Sequence, residues 1–397
     1  MRALPLLCLL ALPCPALADG FLSVDLAQNG IAATEAKLSA QRDPTPGDRF
    51  AIGGLRFLGA IEAALQQRWR YGLTDRGGLL PFMRSSIPEN PEPAAFEPGL
   101  LAATFRDTVS RMDAARAELA DIAPDADFAV TVNFADVWFD INANKTRDPG
   151  EGLMEVFGPM LMTGWTNATP APIVRFDGAD TAWLSGYARL ISAVSDIVLA
   201  YDPTEATARI LDARAKLNAL GPVAPDFIMG TTDGAGPDSL DLLAITLQVL
   251  NQKPDPTLMA AARTHLLAMI DDNRQFWGRV NAETDNDHEW LPNDHQISAL
   301  GVALPPGTDV AWLATLADLE QALKGEKLVP YWRYESGVGV NLSKIFTDPA
   351  PIDIAGWIQG WAALPYLEPG PLLSADHLSA FESLMQGNPM LMALYLN

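Results

Sequence analysis

Cysteine, histidine and cationic residues are all scarce in this chain. Its 397 residues hold two cysteines and four histidines, and 27 Lys and Arg face 49 Asp and Glu. Both cysteines, Cys8 and Cys14, lie in the first eighteen residues. The remainder therefore has no disulfide, no thiolate nucleophile and no thiolate metal ligand. A chain of this length buries a sizeable core without covalent staples. The formal net charge of −22 speaks against nucleic-acid binding and against anionic membrane surfaces, both of which need a basic face. Long apolar runs are missing too: Thr181–Tyr201 comes nearest, but Arg189 and Asp196 interrupt it. It reads as a core helix, and no membrane span is expected. No glycine-rich phosphate loop, dinucleotide fingerprint or Gly-x-Ser-x-Gly elbow occurs.

The first eighteen residues read as a removable export signal. Arg2 supplies the positive n-region, Leu6–Leu12 an apolar stretch too short to span a bilayer, and Ala16-Leu17-Ala18 a small-residue cleavage site. Pro13 before Cys14 argues against a lipoprotein. The expectation is cleavage after Ala18 and a periplasmic or extracellular product, with residues 19–177 as an N-terminal region and 178–397 as a C-terminal one, or the two as one continuous domain.

Most of the chain has helical periodicity. Leu55, Leu58, Ile61, Leu65 and Trp69 form one apolar stripe ending at Gly72. Prolines 81, 88, 91, 93 and 98 then impose an extended or turning segment. Further helices are expected over 98–122, 178–201, 203–220, 238–251, 256–283, 309–325, 353–367 and 375–396. Val130, Val132 and Phe134 alternate with Thr131, Asn133 and Ala135, and Val137 and Phe139 follow, predicting a strand over 128–139. The fold class is mainly α, a multi-helix bundle or α/α array with a small β element. Asp180-Thr-Ala-Trp-Leu and Asp309-Val-Ala-Trp-Leu share a pattern in which the Asp caps the helix start and the Trp anchors it.

The most specific chemical signal is the run from Asp140 to Glu151. Asp140, Asn142, Asn144, Asp148 and Glu151 place side-chain oxygens at positions 1, 3, 5, 9 and 12, and Thr146 offers its carbonyl at position 7. Calcium takes six to eight oxygens, and a tightly wound twelve-residue loop turns alternate side chains inward. Over these residues the chain resembles EF-hand and dockerin-type calcium loops. As a whole it resembles exported helical proteins carrying such a loop, a resemblance that implies a structural calcium ion and attaches no activity. Lys145 stands where the family has glycine, so it requires a positive φ. Arg147 replaces the aliphatic residue that pairs two EF-hands. With three carboxylates among the ligands, the affinity expected is that of extracellular modules, about 10⁻⁴–10⁻³ M. The alternative is a polar turn closed by Pro149-Gly150, its Asn and Asp side chains bonded to their own backbone.

A second acidic segment, Glu283–Gln296, contains His288 and His295. It reads as a surface turn with Trp290 in the core, as a weaker calcium-like loop from Asp285, as a transition-metal site such as zinc on His288 and His295 with Asp287, or as an acid and base drawn from Glu283, Asp285, Asp287 and Glu289. Trp332, Trp357 and Trp361, near Tyr331 and Tyr334, suit either core packing or a sugar platform. Two function classes follow. One is an exported binding or accessory module with a structural calcium ion and a glycan or protein ligand. The other is an α/α-toroid glycan hydrolase or lyase working through the acids of 283–289.

Overall fold

The computed structural model describes residues 19–73, 85–162, 164–221, 239–302, 304–385 and 389–396. The expected export signal and Pro81 lie outside them. The described residues are mainly helical with two small sheets, in keeping with the mainly α class that the periodicity predicts.

Helices α1 (Asp19–Ser39), α2 (Pro46–Arg70) and α3 (Leu100–Ala120) precede strand β1 (Ala129–Asn133), helix α4 (Leu153–Leu161) and strand β2 (Ile173–Asp177). Local chemistry sets the start of α2: Thr45 Oγ1 accepts the Asp48 amide at 3.2 Å and Asp48 Oδ2 accepts the Thr45 amide at 2.9 Å. That reciprocal box encloses Pro46, whose missing N–H costs a first turn nothing. The predicted stripe buries Leu55 and Leu65, and α2 packs against α3, which packs in turn against α5 (Asp180–Ala200).

Next come α6 (Thr204–Leu220), α7 (Ser239–Leu250), α8 (Pro256–Val280) and α9 (Thr308–Lys324). The α5–α8 pair is the most extensive helix contact, and small residues make it close. A Cβ on Gly186 would stand 3.3 Å from that of Asp272. Asp272 then accepts from Ser185 Oγ (2.8 Å) and Arg189 Nε (2.7 Å) across the same seam. The main apolar core runs from Leu26 to Leu396 and draws on residues to both sides of position 177.

The C-terminal part holds β3 (Val329–Pro330), β4 (Val338–Val340), α10 (Leu342–Thr347), α11 (Ile354–Gln359), β5 (Leu367–Pro369), α12 (Asp376–Leu384) and α13 (Pro389–Leu396). Strands β3, β4 and β5 form an antiparallel sheet in that order.

Several expectations are corrected. The strand foreseen over 128–139 ends at Asn133, where the Asp136 amide closes a turn onto the Asn133 carbonyl. Val137 and Phe139 belong to the next segment. Its partner β2, in register Val132 to Val174, was not anticipated. The helix expected over 353–367 is only one and a half turns of α11, because Gly360 takes φ 116° and Pro365 follows. Neither Asp of the repeated pentapeptide caps its own helix: Asp180 accepts the Asp177 amide and Asp309 the side-chain amide of Asn281. Both tryptophans, Trp183 and Trp312, are buried as expected. Among the described residues, no helix is long and apolar enough to cross a membrane.

Candidate metal loop and acidic cluster

Backbone hydrogen bonds bring the two ends of the Asp140–Glu151 loop together. The Phe139 amide donates to the Glu151 carbonyl at 2.8 Å, and the Leu153 amide to that of Val137 at 2.9 Å. Within the loop, side chains at alternate positions accept from the backbone ahead of them. Asp140 Oδ2 takes the Lys145 amide (3.0 Å), Asn142 Oδ1 that of Asn144 (3.0 Å), and Asn144 Oδ1 that of Thr146 (2.7 Å). Ala143 and Lys145 adopt left-handed φ angles of 59° and 65°. Lys145 is the position at which the calcium-loop resemblance requires one.

Glu151 closes the loop and is fully buried. Its Oε1 accepts the amides of Ile141 (2.9 Å) and Asn142 (3.4 Å), and Oε2 that of Asp148 (2.8 Å). Burial raises its proton affinity, the three amides oppose that, and nearby Asp148 reinforces it. Asp148 Oδ2 accepts the side-chain amides of Asn142 and Asn144, each at 2.7 Å. Thr146 is exposed. These internal bonds are those a polar turn would also make. One atom departs from that pattern: Asp140 Oδ1 is buried with no hydrogen-bond partner. A buried carboxylate oxygen without a donor is costly, and a cation is one group that satisfies it. Among the described residues, no three His, Cys, Asp or Glu side chains converge as a metal site. In a loop of this type, amide and backbone oxygens supply much of the coordination.

Two residues outside the loop hold its first position. Glu62 Oε2 accepts the Asp140 amide at 2.9 Å, and Gln66 Nε2 donates to the Asp140 carbonyl at 2.8 Å. Both lie on α2, four residues apart, so they share one face. Burial pushes the Glu62 carboxyl up, and the charges of Asp140 and Glu151 add to this. The sequence signal was a glutamate, now buried, beside the apolar stripe Ile61–Leu65.

The 283–296 segment joins a larger acidic cluster. Arg175 of β2 pairs with Asp177 (3.2 Å) and Asp285 (3.3 Å), and its Nε lies 3.9 Å from Asp287. Asp180 and Glu289 are buried alongside. Burial, reinforced by Asp177, raises the Asp180 carboxyl well above the usual carboxylate range. Burial and Asp177 also push Glu283 up to about 7, and burial raises Glu289. A carboxyl titrating near neutrality is competent as a general acid or base. Asp177, Asp180 and Arg175 come from far away in sequence and were not anticipated. Trp290 is in the core, against Phe134, Phe176, Trp183 and Tyr395, where the surface-turn reading places it. His288 bonds its neighbour Asp287 at 2.7 Å and His295 is exposed, so the zinc reading has no cluster to rest on among the described residues.

Of the three C-terminal tryptophans, Trp357 stacks on Tyr366 (5.8 Å between centroids, 10° between planes), whereas Trp332 and Trp361 are exposed. Compared with known proteins, the chain matches no family model, no curated protein and no solved structure.

Proposed function

We propose that this chain is an exported helical module with a binding or accessory role, stapled by one structural calcium ion in the Asp140–Glu151 loop. The observation carrying the calcium reading is the orphaned, buried Asp140 Oδ1 inside a loop that turns left-handed at Lys145. Asp140, Asn142, Asn144, Asp148 and Glu151 would hold the ion with their side chains, and Thr146 with its carbonyl. The bound ion supplies charge neutralisation to three carboxylates and ties the segment after β1 to α4. Export is supported by the composition of Met1–Ala18, and an extracellular compartment would keep a weak calcium loop filled.

Thermal melting of the chain from Asp19 onward, in calcium, zinc and EDTA, tests this reading. Calcium raises the melting temperature and zinc does not. Asp140→Ala combined with Glu151→Ala abolishes the calcium response, as does the milder Asp140→Asn. A response that survives in both variants removes the site.

A second reading is favoured by the acidic cluster, where Glu283 titrates near neutrality beside Asp177 and Glu289. It makes the protein a glycan hydrolase or lyase of the α/α-toroid kind, with Glu283 as general acid. Loss of polysaccharide cleavage in Glu283→Gln, with the melting temperature not lowered, supports it. Absence of cleavage by the parent protein on a panel of polysaccharides rules it out.

A further inference from the structure

Between the end of α8 at Val280 and the start of α9 at Thr308 the chain forms neither helix nor strand. Residues 283–299 of this stretch are knit to one another. The Ala299 amide donates to the Glu289 carbonyl at 2.7 Å, the Ile297 amide to Asn286 Oδ1 at 2.8 Å, and Gln296 Nε2 to Glu283 at 3.2 Å. Few groups hang them on the body of the fold. The Arg175 amide of β2 donates to the His288 carbonyl at 3.0 Å, the Tyr395 hydroxyl of α13 to the Trp290 carbonyl at 2.8 Å, and Asn293 Nδ2 to the Val280 carbonyl at 2.7 Å. His288, at the Arg175 attachment, takes φ 62°, a left-handed conformation that persists only where the surroundings impose it.

Charge is unbalanced where this segment meets the body. The Arg175 guanidinium is shared by Asp177, Asp285 and Asp287, and Asp180 of α5 and Glu289 lie buried beside it, with Glu283 half-buried. The other groups facing the cluster do little to offset six carboxyls. Strand β1 carries no titratable side chain. Arg279 of α8 donates to the Gly178 carbonyl at 3.0 Å, His288 bonds Asp287 at 2.7 Å, and Asp309 of α9 accepts from Asn281 at 2.7 Å. Burial raises the Tyr395 phenol of α13, which stays neutral.

Burial and the neighbouring acids raise both segment glutamates, Glu283 to about 7. Released into water, Glu283 returns to its ordinary 4.5. Docking is therefore strongest below about 4.5, where both states hold the proton, and is weakened as pH rises through about 7. Like charges then gather against a single guanidinium, while the internal bonds of the segment are untouched. We propose that residues 283–299 form a proton-held clasp, which lies on β2 while its carboxyls are protonated and lets go as one unit when they ionise. Release withdraws Trp290 from Phe134, Phe176 and Trp183, the rings it now covers. The opening is local, because the α2–α3–α5–α8 packing lies outside the segment. It stands apart from both functional readings above, since it needs neither calcium nor a glycan.

Hydrogen exchange read by mass spectrometry tests this on the chain from Asp19 onward. The series runs in EDTA, without glycan, from about pH 5 to about pH 9, with labelling times scaled to the intrinsic exchange rate. Peptides within 283–299 lose protection as pH rises through neutrality, while those of α2, α5 and α8 keep theirs. Glu283→Gln and Glu289→Gln keep an acceptor and cannot ionise, so each holds the segment protected to higher pH. Arg175→Gln removes the cation and lets the segment go at lower pH. Asp294→Asn, at an exposed acid, leaves the release pH where it is. Protection of 283–299 unchanged across the series overturns the proposal, and so does its loss only together with α5 and α8. A release pH that is the same in the parent, Glu283→Gln and Glu289→Gln overturns it too. Should a variant lose protection everywhere, the parent's own series decides between these outcomes.

Discussion

Glu62 Oε2 accepts the backbone amide of Asp140 at 2.9 Å, fastening the first residue of the loop to a helix 78 positions earlier in the chain. The bond puts a third carboxylate near Asp140 and Glu151, and burial and those charges raise the Glu62 proton affinity. A carboxyl whose folded pKa lies above its unfolded value destabilises the fold once it ionises, because the unfolded chain gives up the proton more readily. Glu62→Gln keeps an acceptor for the amide and removes the charge. It should raise the melting temperature in EDTA at neutral pH while weakening calcium binding, a pair of opposite shifts visible in one melting series. Glu62→Ala instead leaves the Asp140 amide unpaired and should cost about 1–3 kcal/mol in urea unfolding.

Lys145 holds φ at 65°, a conformation in which a side chain costs about 1–2 kcal/mol. Glycine removes that cost and returns part of it as extra freedom in the unfolded chain. Lys145→Gly should therefore stabilise the protein by up to about 1 kcal/mol. Because it also removes a cation from the loop, calcium titrations should show tighter binding. A destabilised variant with unchanged affinity contradicts both points.

Glu283 predicts a pH dependence with a definite sign. Its carboxyl rises from the ordinary 4.5 to about 7, chiefly through burial, with Asp177, Glu289 and Asp285 adding to the shift and the Gln296 hydrogen bond opposing it. The folded state binds the extra proton between those values, so stability is fully present below about 4.5 and falls as pH rises through about 7. Glu283→Gln keeps the acceptor for Gln296 Nε2, a contact of 3.2 Å. The variant should flatten this part of the stability curve and be the more stable protein at pH 8. Parallel curves for parent and variant across that window would contradict the assignment.

Gly30 lies inside α1 with φ at 74°, and a Cβ there would stand 3.0 Å from the Trp138 ring. The ring is fixed by its indole N–H, which donates to the Leu26 carbonyl at 2.8 Å. Gly30→Ala brings both a strained backbone and a clash, and should cost more than about 1 kcal/mol in chemical denaturation. An Ala substitution at Gly99, which has open space around it, serves as the control.

How far the sequence could be read follows from the range of each interaction. Helices α2, α3, α5 and α8 announce themselves because an apolar stripe repeats within every turn. The loop from Asp140 is legible for the same reason: its twelve residues carry the whole pattern locally, down to the positive φ required of Lys145. Strands of two or three residues, such as β3 and β4, are too short to show a period. Helix α1 is masked by the glycine that kinks it, and the break at Gly360 is hidden in a run that otherwise looks helical. Glu62, Asp177 and Asp180 are invisible in a linear reading, since tertiary packing alone places them beside Asp140 and Glu283.

The backbone bonds joining Phe139 to Glu151 and Leu153 to Val137 determine when an ion could enter the loop. In a free peptide of this sequence, a metal would have to gather both ends and would bear the full entropy of ring closure. In the folded chain the ring is already shut by the protein itself. Arrival of an ion would then be a local filling step with little change in shape. Refolding should proceed at the same rate with or without calcium, and the ion should act on the rate of unfolding instead.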